Sequence, residues 1–429
     1  MSVPLDDLVP APLLTPEQLA LETKACELFA HPRVRAVAAK AKGLMLAGYG
    51  IDIPDEARGT LDNAIEEYVF SYVERVLCRD RNNFCLHYTC HPAYKRTSGE
   101  AVPGCRFYGE NPDAVYRWGG LDHDRSYRLV CRQFGQAPID ASFTLMGTYG
   151  GTTPGDSLVL SDIDRDMDGG FTITLDSKPA NGRPNHLMLT PKTRLLLIRE
   201  FLGDWASDTP FAMTLDADGV TRGGPWDEEA ALDEICHYAI EELYLYFWMN
   251  HIYRNLPVNS ITTPQSAAAM GGSASMATAN GYFELGQDEA AVIEWTPAGA
   301  RLSGLSALDW WYTPIDAHKR GSTINNFALP SDEQDQAIVV LSRSDPGVAN
   351  WLDCADLKHV LFTARWQGLP ELPVGDGPKV SSRIVKLASL EGHLPANVAR
   401  CSPAEREKRN AARLAAYTRR TGDMRSRFA

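Results

Sequence analysis

The chain divides into stretches with apolar residues every three or four positions and stretches that alternate residue by residue. Thr15-Pro16-Glu17-Gln18 supplies an N-cap, a proline at the first helical position and a glutamine at the third, which is a helix start. Ala20, Cys26, Leu28 and Phe29 continue that helix, and His31-Pro32 ends it. Leu61 to Leu77 reads as a second helix, with Ile65, Val69, Tyr72 and Val76 three and four apart. From about Cys105 to Ala217 the period drops to two: RSYRLVCRQFG, ASFTLMGTY, DSLVLSD and GGFTITLDS read as strands of an antiparallel sheet. Pro191 to Leu202 (PKTRLLLIREFL) fits either a strand or a short helix.

Trp226 to Arg254 carries the strongest helical pattern. Leu232, Cys236, Ala239, Leu243 and Phe247 form one stripe suited to docking on a sheet. Ser260 to Asn280 reads as an inter-domain linker or mobile loop. A second strand-rich block covers Gly281 to Trp366, and Ser402-Pro403-Ala404-Glu405 is a capping box opening a last helix. The expected class is mainly β with helical additions (α+β). Its expected parts are a helical region 1–95, a first β domain 96–225, a long helix and linker 226–280, a second β domain 281–372, and an extension 373–429 with a basic helix.

Charge narrows the partners. Lys and Arg number 42 against 55 Asp and Glu, a net of −13, which argues against nucleic acid because such binders need a basic surface. Residues 401–429 carry eight basic and three acidic side chains, so a body at −18 bears a tail at +5. A homo-oligomer formed through that basic helix is the expectation. The N-terminal MSVPLDDLVPAPLLTPEQ lacks the basic and apolar regions of a signal peptide. Apolar runs such as Leu195 to Ile198 are too short to span a bilayer, so a cytoplasmic location without membrane contact is expected.

Nine cysteines with no CxxC pair suggest reduced thiols. Cys85, His87, Cys90 and His91 in NFCLHYTCHP bring four soft donors into seven residues. Metal sites of that kind draw a second ligand pair from a distant segment, and an ordinary strand end without metal is the favoured reading. Asp162, Asp164, Asp166 and Asp168 in SDIDRDMDGG resemble the start of a calcium loop. The twelfth position, Leu175, is not the required Glu, so a turn feeding the next strand is favoured. His237, Glu241, Tyr244, Trp248 and His251 make a second helical face, suited to lining a pocket or to packing with polar tips. G-x-G-x-x-G, Walker A, G-x-S-x-G and H-E-x-x-H motifs are absent from the sequence, and no cofactor is expected.

Two segments carry a resemblance. Glu110-Asn111-Pro112-Asp113-Ala114-Val115-Tyr116-Arg117 followed by DHDRSYRLVCR, and Asp345-Pro346-Gly347-Val348-Ala349-Asn350-Trp351-Leu352-Asp353 with Arg365-Trp366, are similar to bacterial proteins of domain-of-unknown-function family 1214, often joined to family 1254. Gly281-Tyr282-Phe283-Glu284 and Ser322-Thr323-Ile324-Asn325 also fit that pattern. The resemblance spans roughly residues 100–370. It implies two jelly-roll-like antiparallel β-sandwich domains, and often an oligomer. Where family members continue with a Gly-His pair this chain has Asp356-Leu357, so any role of that histidine would fall to His359. A structural use of the second signature is equally open: Asn350 capping a turn, Trp351 filling core, Asp353 pairing with Arg365.

The expected function is cofactor-independent acid/base catalysis on a hydrophobic small molecule such as a terpenoid, steroid or aromatic alcohol. The chemistry would be of the dehydratase, isomerase, lyase or hydrolase kind, in a cleft between the β domains. Asp113 and Asp353 are the candidate proton-transfer carboxylates, with His186 as a further acid/base. Asn111, Tyr116, Asn350 and Arg365 are candidates for binding substrate, and Trp248, Tyr282, Trp311 and Trp351 for its apolar walls. One alternative is a carbohydrate-active or glycan-binding sandwich, which needs an open groove. The other is a non-catalytic oligomeric scaffold, whose domain junction would be packed solid.

Overall fold

Leu195–Phe201 is a strand, and its apolar run fits because both of its faces are covered. The computed structural model of the chain describes residues 13, 15–49, 53–96, 99–106, 109–266, 275–329, 336–371, 377–421 and 427–428. The leader reading of the first twelve residues, and positions 267–274 of the expected linker, lie outside them. Leu195–Phe201 is central in a five-stranded sheet, between Ala114–Gly120 and Asp140–Met146, with Leu86–Thr89 and Pro154–Val159 at the edges. A four-stranded sheet faces it, in the order Ala212–Ala217, Tyr127–Arg132, Phe171–Asp176, His186–Met188. Leu129, Phe143, Ile173, Ile198 and Leu215 fill the space between them. Side chains of this kind each contribute about 1.5–3 kcal/mol on burial.

A second sheet pair repeats the plan. Ala277–Glu284, His359–Gln367, Leu302–Leu308 and Thr323–Asn325 form the body of a six-stranded sheet. Trp351–Asp353, Ala337–Ser342, Glu289–Thr296 and Lys379–Lys386 form the four-stranded sheet opposite. Phe283, Ile293, Leu305, Leu341 and Phe362 lie between. The expected linker opens with two edge strands, Ser260–Ile261 and Gln265–Ser266, and its last four residues begin the strand Ala277–Glu284 with which both pair. Between the strands named here, pairing among the described residues is antiparallel except for two three-residue parallel matches, Thr174–Asp176 with His186–Met188 and Val340–Ser342 with Trp351–Asp353. The chain is thus α+β, with open sheets stacked in sandwich-like pairs.

The helices are α1 (Pro16–Phe29), α2 (Pro32–Tyr49), α3 (Asp55–Arg58), α4 (Leu61–Leu77), α5 (Glu228–Glu241), α6 (Tyr244–Arg254) and α7 (Pro403–Thr421). Thr15 Oγ1 accepts from Gln18 N at 3.1 Å, so the first cap is where the pattern predicts it. Pro32 ends α1 and also begins α2, a proline at a helix start losing no intrahelical bond. The capping box of α7 closes both ways: Ser402 N donates to Glu405 Oε2 at 2.7 Å, and Glu405 N to Ser402 Oγ at 3.3 Å.

The long helix expected over Trp226 to Arg254 is two helices, broken at Glu242-Leu243. Tyr72 Oη and the backbone N of Gly150 both donate to Glu242 Oε2, fixing the side chain in the helical layer. The turn at Glu242 then sends α6 off along a new axis. The stripe of α5 docks on helices rather than on a sheet, Leu232, Ala239 and Leu243 sharing one core with Leu21, Val34 and Tyr68. No helix among the described residues is long and apolar enough to cross a membrane.

Candidate functional site

Side chains alternate across a strand, and in Leu195–Phe201 this assigns two jobs. Leu196 and Ile198 enter the first sandwich core, while Leu197, Arg199 and Phe201 face the other way. They look into a cavity of about 350 Å3 lying between the two sheet pairs and α6. Tyr116 and Trp118 alternate onto the same surface from the neighbouring strand, Tyr116 directly opposite Arg199. Across the cavity, Thr278, Arg365 and Gly304 lie in register on three adjacent strands of the second domain. The third wall is α6, which presents Leu245, Trp248, Met249, Ile252 and Tyr253.

Polar groups gather at one side of this apolar space. Arg365 donates through Nη2 to the carbonyl of Gly109, while its buried Nη1 has no hydrogen-bond partner. Among the described residues neither Arg199 nor Arg365 has an ion-pair partner. Burial pushes the Tyr116 phenol up, and both guanidiniums pull it part of the way back. Tyr253 Oη lies 2.9 Å from both Asn280 Oδ1 and Tyr312 Oη. Burial raises both of those phenols as well, so they stay protonated donors. Glu110 is the one carboxylate among the described lining residues.

Tyr312 is held in an unusual backbone state, with φ at +66°. Asp309 maintains it, Oδ1 accepting from the backbone N of Trp311 at 3.0 Å and of Thr313 at 2.9 Å. Gly109 packs against the ring so closely that a Cβ would stand 2.2 Å from Tyr312 Cε1, and its own φ is +66°. Burial raises the Asp309 carboxyl to about 7. The folded state therefore holds that proton more tightly than the unfolded chain does, and stability falls as pH rises from the ordinary carboxylate range through about 7. Asp309→Asn keeps an acceptor for the turn. It should flatten this slope, gaining on the order of 2 kcal/mol relative to wild type at pH 8, as measured by urea unfolding at pH 5 and pH 8.

Comparison with known proteins places the fold and goes no further. A solved structure of an uncharacterized protein from Burkholderia cenocepacia is similar, with a TM-score of 0.67 and 21% identity over 85% of this chain and 99% of that one. A protein from Vibrio parahaemolyticus matches with a TM-score of 0.41 and 10% identity over 76% of this chain and 99% of its own. No family model and no curated protein matches the chain.

The residues expected at the site are dispersed. Asn111, Tyr116, Trp248 and Arg365 line the 350 Å3 cavity. Asp113, Asn350 and Trp351 line a larger recess of about 1160 Å3 beneath α7. There Asp113 Oδ1 accepts from Trp205 Nε1 at 2.9 Å. Asp353 lies beside neither space, pairing with Arg320 at 3.1 Å rather than with Arg365. His186 is in the outer sheet of the first domain, its Nδ1 3.0 Å from Thr174 Oγ1 and its Nε2 2.9 Å from the Lys178 carbonyl. Tyr282 hydrogen-bonds His359 Nδ1 at 2.7 Å, and Trp311 is core, donating to the Ala57 carbonyl at 3.0 Å.

The second signature loop also anchors the tail. Arg406 of α7 binds Asp345 at 3.1 Å and stacks over Trp351 at 5.1 Å. Arg413 and Arg420 cover Trp205, and Arg419 donates to the Trp205 and Ala206 carbonyls. These arginines are thus engaged within their own chain. Of the polar helical face, only Trp248 reaches the cavity; His237 and Glu241 pair with each other in solvent at 2.7 Å. The Asp-rich segment makes a turn: Asp166 N donates to the Gly170 carbonyl at 2.8 Å, and Gly170 N to Asp168 Oδ1 at 3.1 Å.

Proposed function

We propose that this chain is an enzyme that encloses a hydrophobic small molecule bearing a carboxylate, or an oxygen that becomes anionic during reaction, and acts on it by acid/base chemistry. The observation that carries this reading is the 350 Å3 cavity walled by α6 with two guanidiniums that have no acid partner among the described residues. A small-molecule site combines apolar walls with a few convergent polar groups. Unpaired arginines in a partly dry space act on an oxyanion far more strongly than they would in water.

Arg199 and Arg365 hold the anionic oxygen, and Glu110 moves a proton at the adjacent carbon or oxygen. Tyr312, Tyr253 and Asn280 orient a second oxygen, while Trp248, Met249 and Leu197 bury the apolar body. Terpenoid, steroid and aromatic frameworks suit that volume, within the dehydratase, isomerase, lyase or hydrolase classes. Apolar walls supplied by Leu197, Met249 and Ile252 favour this reading over a glycan groove, and an unfilled junction favours it over a solid scaffold.

We also propose kinship with families 1214 and 1254, including their jelly-roll-like winding. The support is that Asn111, Tyr116 and Arg365, drawn from both resembling segments, line one space. Self-association would then use the outer face of α7, where Lys408 is exposed.

The test is a panel of terpenoid and aromatic carboxylic acids beside the matching neutral alcohols, followed by thermal shift and product analysis. Acids should raise the melting temperature and at least one should be converted. Glu110→Gln should lower kcat by about two to four orders of magnitude with binding within a few-fold. No shift with any acid, or full turnover in Glu110→Gln, would sink the assignment.

A further inference from the structure

Behind the cavity wall lies a second cluster, wholly inside the protein. Glu74 of α4, His87 of the strand Leu86–Thr89, His91 just after it and Cys105 are all buried. The Glu74 carboxylate has no hydrogen-bond partner on either oxygen, and the Nε2 atoms of His87 and His91 have none. His87 Nε2 lies 3.9 Å from Glu74 Oε2, and His91 Nε2 lies 3.9 Å from Oε1. Ligand atoms of Glu74, His91 and Cys105 all fall within 4.8 Å of one another.

An ionised carboxylate at zero exposure without a donor is costly unless a cation meets it. His91 is pre-set as a ligand: its Nδ1 lies 3.0 Å from the Pro92 carbonyl, so the ring donates there and turns the Nε2 lone pair toward Glu74. That outward hydrogen bond to a carbonyl accompanies metal-binding histidines generally. Zinc bonds of about 2.0–2.3 Å set neighbouring donors about 3.3–3.8 Å apart, so the histidine–carboxylate spacings need to close by about half an ångström and those within the 4.8 Å group by up to about one. The charges also balance. One carboxylate and one thiolate with two neutral imidazoles sum to minus two, which a divalent cation neutralises in a low-dielectric interior.

From this cluster we infer that the chain carries a structural divalent-metal site, Zn2+ by its mixed nitrogen, sulfur and oxygen donors, held by Glu74, His91 and Cys105; His87, at the other carboxylate oxygen and outside that three-residue group, has to move in to serve as a fourth ligand. Cys105 loses its thiol proton to solvent as the ion binds, and Glu74 is bound as the carboxylate. The distant ligand pair that the Cys/His run lacks in sequence comes from α4 and from the segment ending at Arg106. Of the cysteines in that run, Cys90 lines the cavity and Cys85 joins the helical core. The ion ties α4 to the first sandwich and to the 103–106 segment, directly behind Cys90. This reading is independent of what the cavity binds.

The experiment is elemental analysis of the full chain, purified without an affinity metal from zinc-supplemented cells. About one zinc per chain is expected, dropping at least about tenfold in Cys105→Ser and in His91→Gln. Refolding with a strong chelator should lower the melting temperature, and added Zn2+ should restore it. Should those variants fail to fold, cobalt exchange into the wild-type chain decides: a thiolate-to-cobalt charge-transfer band supports the site. Wild-type protein that holds less than about a tenth of an equivalent, with a melting temperature indifferent to Zn2+ during refolding, overturns it.

Discussion

Arg365→Met is expected to melt at or above the wild-type temperature while losing roughly a hundredfold or more in affinity for a terpenoid or aromatic carboxylic acid. The two effects have one cause. Arg365 Nη1 is buried with no hydrogen-bond partner, and a polar group left in that state costs about 1–3 kcal/mol. Methionine fills similar volume without the cost, offset by the lost bond to the Gly109 carbonyl. Against a bound carboxylate the same guanidinium makes charge-assisted hydrogen bonds whose loss is about 3 kcal/mol, which is two decades in affinity. Calorimetric titration beside a thermal melt reads both quantities on one sample. Retention of binding within about threefold would remove Arg365 from the site.

The elements were legible because period and capping chemistry act locally. The Thr15 cap, the Leu61–Leu77 helix and the Ser402/Glu405 box need only neighbours in sequence, and each stands where its pattern places it. The break at Glu242 was not legible, since it depends on Tyr72 and Gly150, far away in the chain. Pro32 shows a subtler limit: a proline that stops one helix is equally able to start the next, and only the absence of a loop distinguishes the cases.

The site was half legible for a related reason. Tyr116 and Asn111 sit within one motif and were reachable from it, and Arg365 closes the second. Arg199 was visible only as a charge in an apolar strand, and Tyr253, Tyr312 and Asn280 converge from three separate segments. Carboxylates stand out by residue type alone, yet Asp353 is tied to Arg320 and Asp113 to Trp205. In the buried cluster behind the cavity, His91 stands in the Cys/His run, while Glu74 and Cys105, which lie beside it in space, are out of sequence range.

Glu200→Met should be among the most destabilising single substitutions in the first sandwich, at about 3–5 kcal/mol. Glu200 and Arg117 point inward from adjacent strands and meet at 3.2 Å with almost no exposure. Both also hold the start of the opposing sheet: Phe211 N donates to Glu200 Oε1 at 2.7 Å, and Arg117 Nη2 donates to the Phe211 carbonyl at 2.8 Å. Removing the acid leaves a guanidinium in an apolar core with nothing to compensate it. Burial pushes the Glu200 carboxyl up while Arg117 draws it back, as a pair near balance requires. The double substitution Arg117→Met/Glu200→Met should therefore recover most of the loss, because apolar side chains of similar volume replace both charges. Urea unfolding of the two single variants and the double variant closes the cycle. A double variant as weak as the sum of the singles would mean that the Phe211 anchor, and not the ion pair, joins the two sheets.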